Sequence, residues 1–269
     1  MSTAYSSALH KAALAVFYEA TRTQQAQAAA KRRAAIRRAQ AAFAALFRRQ
    51  GRLFLERLPK LASYFIVKEA AYDGDLVDAF ADVFGKTRKQ AEKALVDSLF
   101  DGLSLGYTTQ ATQFGIEQSF KIGSKRAVEW ARQNAAARIS GIEDTTKEAV
   151  RNLIKDGIEK GRSYGEVARD LRSPEFGAFS KQRAETIAVT ENAYSYEQGS
   201  RSLVDDIEAA GIKMEKQWST VGGDACEEIC GPNEAEGWIA ADDAFQSGDM
   251  QPPGHPNCRC TTLYRVAEG

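Results

Sequence analysis

"KQRAETIAVTENAYSYEQGSRSLVDDIEAAGIKMEKQWSTV", residues 181–221, changes its period part-way along, and that change decides the fold. Up to Gly211 the residues Val189, Ala193, Tyr196, Ser200, Leu203 and Ile207 step by four and three along one face, which predicts a long helix closed by the glycine. Beyond it, "KMEKQWSTV" (213–221) alternates as a strand does. The chain therefore reads as mainly α with a small α+β module at its C-terminal end. Further short strands are expected within "GWIAADDAF" (237–245) and at "CTTLYRV" (260–266), between loops rich in Gly, Pro, Asp and Asn. Residues 213–266 hold few apolar groups, so something other than hydrophobic burial is expected to hold this strand region.

The helix itself carries Arg183, Glu185, Thr190 and Glu191, a set that resembles acid/base machinery. Glu185 and Glu191 lie six positions apart, roughly 240° around a helix, and do not converge on one substrate. A salt-bridge network between helices is the expected use.

Upstream, two capping boxes are read: Thr145 with Glu148, starting a helix to about residue 159, and Ser163 with Glu166, starting another to about residue 171. Two helices around "KGRSYGE" raise a DNA-reading helix-turn-helix. The face with Glu166, Arg169 and Asp170 is a poor reader of bases, so packing of two amphipathic helices is expected instead. Residues 61–140 keep a helical period, clearest over 88–107 and 124–139, with Gly85, Gly102, Gly106 and Gly123 as punctuation. No phosphate-cradling glycine loop occurs there, which removes nucleotide-triphosphate and dinucleotide chemistry.

From Ser2 to about Leu58 the chain is rich in Ala, Arg and Gln, which favours a long helix broken at Pro59. Ile36, Phe43, Phe47, Phe54 and Leu58 form its apolar stripe, expected to pack on the chain's own body or on a neighbour. The 269 residues have zero net charge, but residues 1–60 hold twelve Lys or Arg against Glu19 and Glu56 alone. The rest carries 24 basic and 34 acidic residues. Such asymmetry points to a polyanionic partner for the basic arm, nucleic acid or an acidic protein surface, through Lys31, Arg32, Arg33, Arg37, Arg38, Arg48, Arg49 and Arg52. A solvated helix face is the plain alternative. The expected division is a basic amphipathic helical arm (1–60), a helical region (61–123) and a C-terminal domain (124–269) with its Cys/His-rich module at 213–266.

No stretch approaches the roughly 18 apolar residues of a membrane span, and "AALAVF" (12–17) is too short for a signal peptide. The chain is expected to stay in the cytoplasm unless a larger particle carries it out. Thiols stay reduced there, so the four cysteines point to metal before disulfide. Cys226 and Cys230 precede His255, Cys258 and Cys260 by a long loop, an arrangement in which a structural zinc ion ties two turns together. Zinc takes four ligands and five are present, so either His255 or Cys260 completes a set with the other three cysteines. The step from His255 to Cys258 chelates more easily if Pro256 starts a turn. A disulfide between the loops is the alternative. A catalytic Cys–His pair has no third group, and nothing selects Glu227 or Glu228 as the base of a catalytic zinc. His10, the other histidine, reads as a surface residue.

The ordered series "RAETIAVTENAYSYEQG" (183–199), "KQWST" (216–220), "DACEEICGPNEAEGWI" (224–239) and "FQSGDMQPPGHPNCRC" (245–260) resembles the phage head morphogenesis family, the minor head proteins similar to protein F of phage Mu. The likeness covers about 181–266, more loosely 124–172, and no part of the first 120 residues. Its pattern falls on Asp224, Cys226, Cys230, Asn233, Gly237, His255, Pro256, Cys258, Arg259 and Cys260, with the first cysteines one residue further apart than is common in the family. The resemblance implies a structural, non-enzymatic protein of a tailed-phage head at the portal vertex, acting in head assembly or in DNA packaging and delivery. Implied partners are the portal protein, with the major capsid or neck proteins and viral DNA through the basic arm. A toxin-like transferase or nuclease would need a nucleotide loop or a convergent acidic cluster, and neither pattern is found.

Overall fold

The computed structural model describes residues 2–61, 73–116, 124–220 and 226–267, with side chains described over 26–61, 74–116, 129–220 and 226–267. The expectations for His10 and Asp224 lie outside the described side chains. Among the described residues, five long or medium helices precede a small sheet: α1 Ser2–Arg57, α2 Asp73–Gln113, α3 Ser124–Glu159, α4 Tyr164–Arg172 and α5 Lys181–Ala209. The module then adds β1 Met214–Ser219, a short helix α6 Cys230–Ala235, β2 Ile239–Ala240 and β3 Thr261–Val266. The strands form one antiparallel sheet in the order β2-β1-β3. The mainly helical class with a small α+β module is thus observed.

The α1 stripe packs on the protein's own body: Phe43, Phe47, Phe54 and Leu58 are all buried. The helix ends at Arg57, and Pro59 sits in a 3₁₀ turn over Leu58–Leu61. One core cluster joins Phe54 and Leu58 to Leu76, Phe80 and Val83 of α2, Ile154 of α3 and Val167 and Leu171 of α4. α1 and α2 run antiparallel, tied by Arg38–Asp101, by Gln50 donating to Thr87 at 3.1 Å and by Arg57–Asp82. The apolar side of α4 is spent on this core, so the pair of helices around "KGRSYGE" is a packing element.

Two expectations are corrected. Thr145 does not start a helix, since α3 runs unbroken from Ser124 to Glu159. Its hydroxyl instead donates back to the carbonyls of Gly141 and Ile142, the local bond that a threonine inside a helix makes. Ser163 does cap α4, with the reciprocal Glu166 contacts present. Nor do Gly85, Gly102 and Gly106 punctuate anything, because all three lie inside α2. A Cβ on Gly106 would sit 1.9 Å from the Tyr196 carbonyl oxygen, and one on Gly102 would sit 2.0 Å from Ser195 Oγ. From the other side, a Cβ on Gly199 would meet the Leu103 carbonyl oxygen at 2.1 Å. Two of the glycines therefore let the α2 and α5 backbones touch, and Gly85 has open space around it.

Arg183, at the start of α5, bolts the helices together. Its guanidinium donates to the Ala178 and Ile142 carbonyls and to the hydroxyls of Thr145 and Thr146, and lies 4.8 Å from the Phe47 ring centroid. Burial pulls its pKa down to about 10. Glu191 pairs with Arg138 at 2.7 Å, and Glu185 accepts from Gln40, so the polar residues of α5 are inter-helix ties as expected. α5 ends at Ala209, and Gly211 takes the left-handed φ of 89°.

Candidate metal centre

The module is built on β1, whose alternation puts Met214, Lys216 and Trp218 inward. Trp218 packs edge-on to Phe245, ring centroids 5.2 Å apart, and the remaining buried members of this core are Cys230, Cys258 and Cys260. Three of five core residues are thus thiols. A second small cluster, Val204, Met214, Ala241 and Tyr264, seats the sheet against α5.

The first pair of cysteines lies on a tight loop leading into α6. The Ile229 N–H donates to Cys226 Sγ at 3.3 Å, and the Gly231 N–H to the Cys226 carbonyl at 3.0 Å. α6 begins at Cys230 itself. The second set lies on a β-turn: the Cys258 N–H donates to the His255 carbonyl at 3.2 Å, with Pro256 and Asn257 at the corner. Asn257 has φ of 63°, and proline cannot take a positive φ, so the turn is of type II. Pro256 does start the turn on which the His255–Cys258 chelate depended. Gly254 admits this turn beside the first loop, because a Cβ there would come within 2.8 Å of Ile229 Cγ2 and 3.0 Å of Asp249 Oδ2.

All five expected donors converge, in two overlapping groups: Cys226, Cys230 and His255, and Cys230, Cys258 and Cys260. Within each group the donor atoms lie within 4.8 Å of one another, and Cys230 belongs to both. Cys230 Sγ lies 3.3 Å from His255 Nε2 and 3.9 Å from Cys258 Sγ. A tetrahedral zinc site has edges of about 3.8 Å between sulfurs and about 3.6 Å between sulfur and nitrogen, from its bond lengths. The donors fit, and the cluster could hold zinc. His255 Nδ1 is 2.9 Å from the Pro256 carbonyl, which can only accept, so Nδ1 carries the proton and Nε2 presents its lone pair to Cys230. The four cysteines are free of disulfides.

The thiols share charge unevenly. The neighbouring Cys260 thiol, with the backbone N–H groups of Cys260 and Gly254, brings Cys258 down to about 5. Burial raises Cys230 to about 11, and the Cys258 thiol beside it pushes Cys260 up further. The backbone N–H groups of Cys230 and Ile229 lower Cys226. A divalent ion bound among these thiols would draw their protons off.

Of the residues that hold this site, Lys216 and Glu197 were not singled out in the sequence, whereas Asn233 fell on the family pattern and Thr190 was read as one of the inter-helix polar residues. Lys216 Nζ donates to the Met250 carbonyl at 2.8 Å and lies 5.1 Å from the Phe245 ring centroid, and burial lowers it to about 8. The alternation of "MEKQWS" does place it inward with Met214 and Trp218, and that was the available signal. Asn233 on α6 donates to Ser247 Oγ at 2.8 Å, and Ser247 in turn donates to Asp249. Thr190 and Glu197 of α5 also reach this region, accepting from the Asn257 and Thr262 N–H groups.

The basic residues of α1 differ in their surroundings. Arg32 is half-buried over the Tyr196 ring, Arg38 pairs with Asp101, and Arg49 donates to Gln90. Lys31, Arg33, Arg37, Arg48 and Arg52 are exposed and have no hydrogen-bond or ion-pair partner among the described residues.

Residues 148–263 match the family described as Phage Mu protein F like protein. The likeness expected from the motifs is thus found over this part of the chain. The matched span begins within α3, contains α4, α5, β1, β2 and all five donors, and ends within β3. No curated protein and no solved structure matches the chain. A protein F-like domain points to a phage head protein, of a family that is generally structural rather than enzymatic. Among the described residues, no helix is long and apolar enough to cross a membrane.

Proposed function

We propose that the protein is a minor head protein of a tailed phage or phage-like particle, sited at the portal vertex and acting in head assembly or in DNA packaging and delivery. Its C-terminal module would be held by one structural zinc ion. The observation that carries this reading is the convergence of Cys226, Cys230, His255, Cys258 and Cys260 inside the domain that matches the protein F-like family. The ion would serve folding, since the module's own core is a tryptophan, a phenylalanine and three thiols, and structural zinc contributes on the order of 10–16 kcal/mol to small folds. The portal protein is the proposed principal partner, with the major capsid and neck proteins next to it. Co-expression with the portal protein and sedimentation of the assembled particles tests this: co-sedimentation at fixed stoichiometry supports the placement, and a chain that stays at the top of the gradient sinks it. Elemental analysis of the purified chain tests the zinc, which requires about one equivalent.

A second reading, sequence-independent DNA binding during packaging, is favoured by the exposed arginines of α1. Arg33, Arg37, Arg48 and Arg52 are exposed along the flank of the buried Phe43–Phe47–Phe54 stripe, spread over about 28 Å of axis. Neutralising four phosphates would give a log–log salt slope of about −3.6. Titration of random duplex DNA with wild type and with the four arginines changed to glutamine decides it: equal binding at low salt removes this reading.

A further inference from the structure

We infer that α5 forms the outer shell of the metal centre, with Thr190 and Glu197 as positioning residues for Cys258 and Cys260. The inference rests on the metal reading above and names what orients the ligands. Each ligand-bearing turn in the module has ties of its own, but the segment that carries the last two cysteines is also gripped from the helical body at both ends.

At the near end, the Asn257 N–H donates to Thr190 Oγ1 at 2.9 Å, across 67 residues of sequence. Asn257 sits at the second corner of the type II turn, and its N–H belongs to the turn's central peptide, which the turn's own His255–Cys258 bond leaves unused. The Thr190 hydroxyl gives its proton to the Thr186 carbonyl at 2.7 Å, so its oxygen is fixed in the orientation that receives Asn257. At the far end, the Thr262 N–H donates to Glu197 Oε2 at 3.0 Å. Glu197 is fully buried, and its other carboxyl oxygen has no hydrogen-bond partner among the described residues. A buried carboxyl with only one oxygen engaged is costly, and packing alone would be served better by an apolar side chain. Thr190 and Glu197 lie seven residues apart, two turns and about 10.5 Å along one side of the helix. Cys258 and Cys260 fall between the two anchored N–H groups. An exposed pair, Arg259 and Glu185 at 3.8 Å, lies over the same stretch and adds little.

Helix α5 therefore holds the peptide of the turn one residue before Cys258 and the peptide two residues after Cys260, leaving both thiols aimed at Cys230. Groups that hydrogen-bond metal ligands directly set affinity within about 10–100-fold, and Thr190 and Glu197 act on the same orientation through the backbone on either side of the two cysteines.

The test measures zinc affinity of the full chain by competition with a chromophoric chelator, for wild type, Thr190→Val, Thr190→Ser and Glu197→Leu, with melting temperature read with and without zinc. The expected result is one zinc per chain throughout, an affinity about 10–100-fold lower in Thr190→Val and Glu197→Leu, and a value near wild type in Thr190→Ser. Zinc should also raise the melting temperature of the two weakened variants by less than it raises wild type. A residue that only packs would lower both melting temperatures together and leave affinity alone, and that outcome in Thr190→Val overturns the inference while the zinc reading stands. Wild type without stoichiometric zinc overturns both. If Glu197→Leu does not fold, the Thr190→Val and Thr190→Ser pair decides.

Discussion

Replacing Gly106 by alanine should destabilise this protein, and replacing Gly85 on the same helix should stabilise it. Both lie inside α2, where glycine is about 1 kcal/mol worse than alanine, so propensity alone predicts two equal gains. The surroundings separate them. A Cβ at Gly85 meets nothing within 4 Å, so the gain of about 1 kcal/mol is kept. A Cβ at Gly106 would lie 1.9 Å from the Tyr196 carbonyl oxygen and 2.8 Å from its carbon, both backbone atoms of α5 that cannot rotate away. Relief to about 3 Å requires α2 and α5 to part by about 1 Å, a gap that forfeits a quarter to a half of each dispersion contact along the seam. Overpacking of this kind costs about 3 kcal/mol at the upper end of its range, which leaves a net loss of about 2 kcal/mol after the propensity gain. At about 2–4 °C per kcal/mol, Gly106→Ala should melt about 4–8 °C below wild type and Gly85→Ala about 2–4 °C above it. Thermal melts followed by far-UV circular dichroism read this directly. A Gly106→Ala protein that melts at or above wild type would show that the helices are not in backbone contact there.

Other expectations follow from single residues. Cys230 belongs to both donor groups, so Cys230→Ser should abolish stoichiometric metal, whereas His255→Ala and Cys260→Ser each leave four donors and should retain it; elemental analysis of the three variants checks this, and the single loss that weakens binding more marks the fourth ligand. Arg183 makes four hydrogen bonds that one ammonium cannot reproduce, so both Arg183→Met and Arg183→Lys should lose about 1–3 kcal/mol in urea unfolding, and a lysine variant equal to wild type would count against the bolt. Burial raises the Glu197 carboxyl from 4.5 to about 7, so the native state holds a proton that the unfolded chain releases in between. Its contribution is therefore present below about pH 4.5 and is lost as pH rises through about 7, and Glu197→Gln should gain on wild type across that window, reaching a plateau above it. A difference between the two that does not change with pH would refute the assignment.

What was legible in the sequence was periodicity and local chemistry. The α1 stripe and the inward face of β1 could be read because burial repeats with the element's own period. Ser163 could be read because a cap is satisfied within four residues, and the Pro256 turn because proline and asparagine favour its two corners. What was not legible depends on a neighbour far along the chain. Thr145 has the same capping-box spacing as Ser163, but its hydroxyl bonds back into its own helix and receives Arg183 from another. Gly85 and Gly106 are the same letter in the same helix, and only the arrival of α5 makes one of them indispensable.

The same distinction explains the candidate metal centre. Its donors were legible because cysteine and histidine in clustered pairs point to a ligand set through their chemistry. The contacts that support it were not, because threonine, glutamate, asparagine and lysine are ordinary surface residues until a fold buries them. Thr190 sits between Val189 and Glu191 on a long helix, and nothing local says that its oxygen waits for Asn257, 67 positions away. Lys216 shows the intermediate case: alternation put it inward, against the usual habit of lysine, and that conflict between pattern and residue type was itself a sign of a buried partner, met here by the Met250 carbonyl and the Phe245 ring. A strand lysine on the apolar face, close in sequence to clustered cysteines, thus marks where a loop is pinned over a small core that cannot close by hydrophobic burial alone.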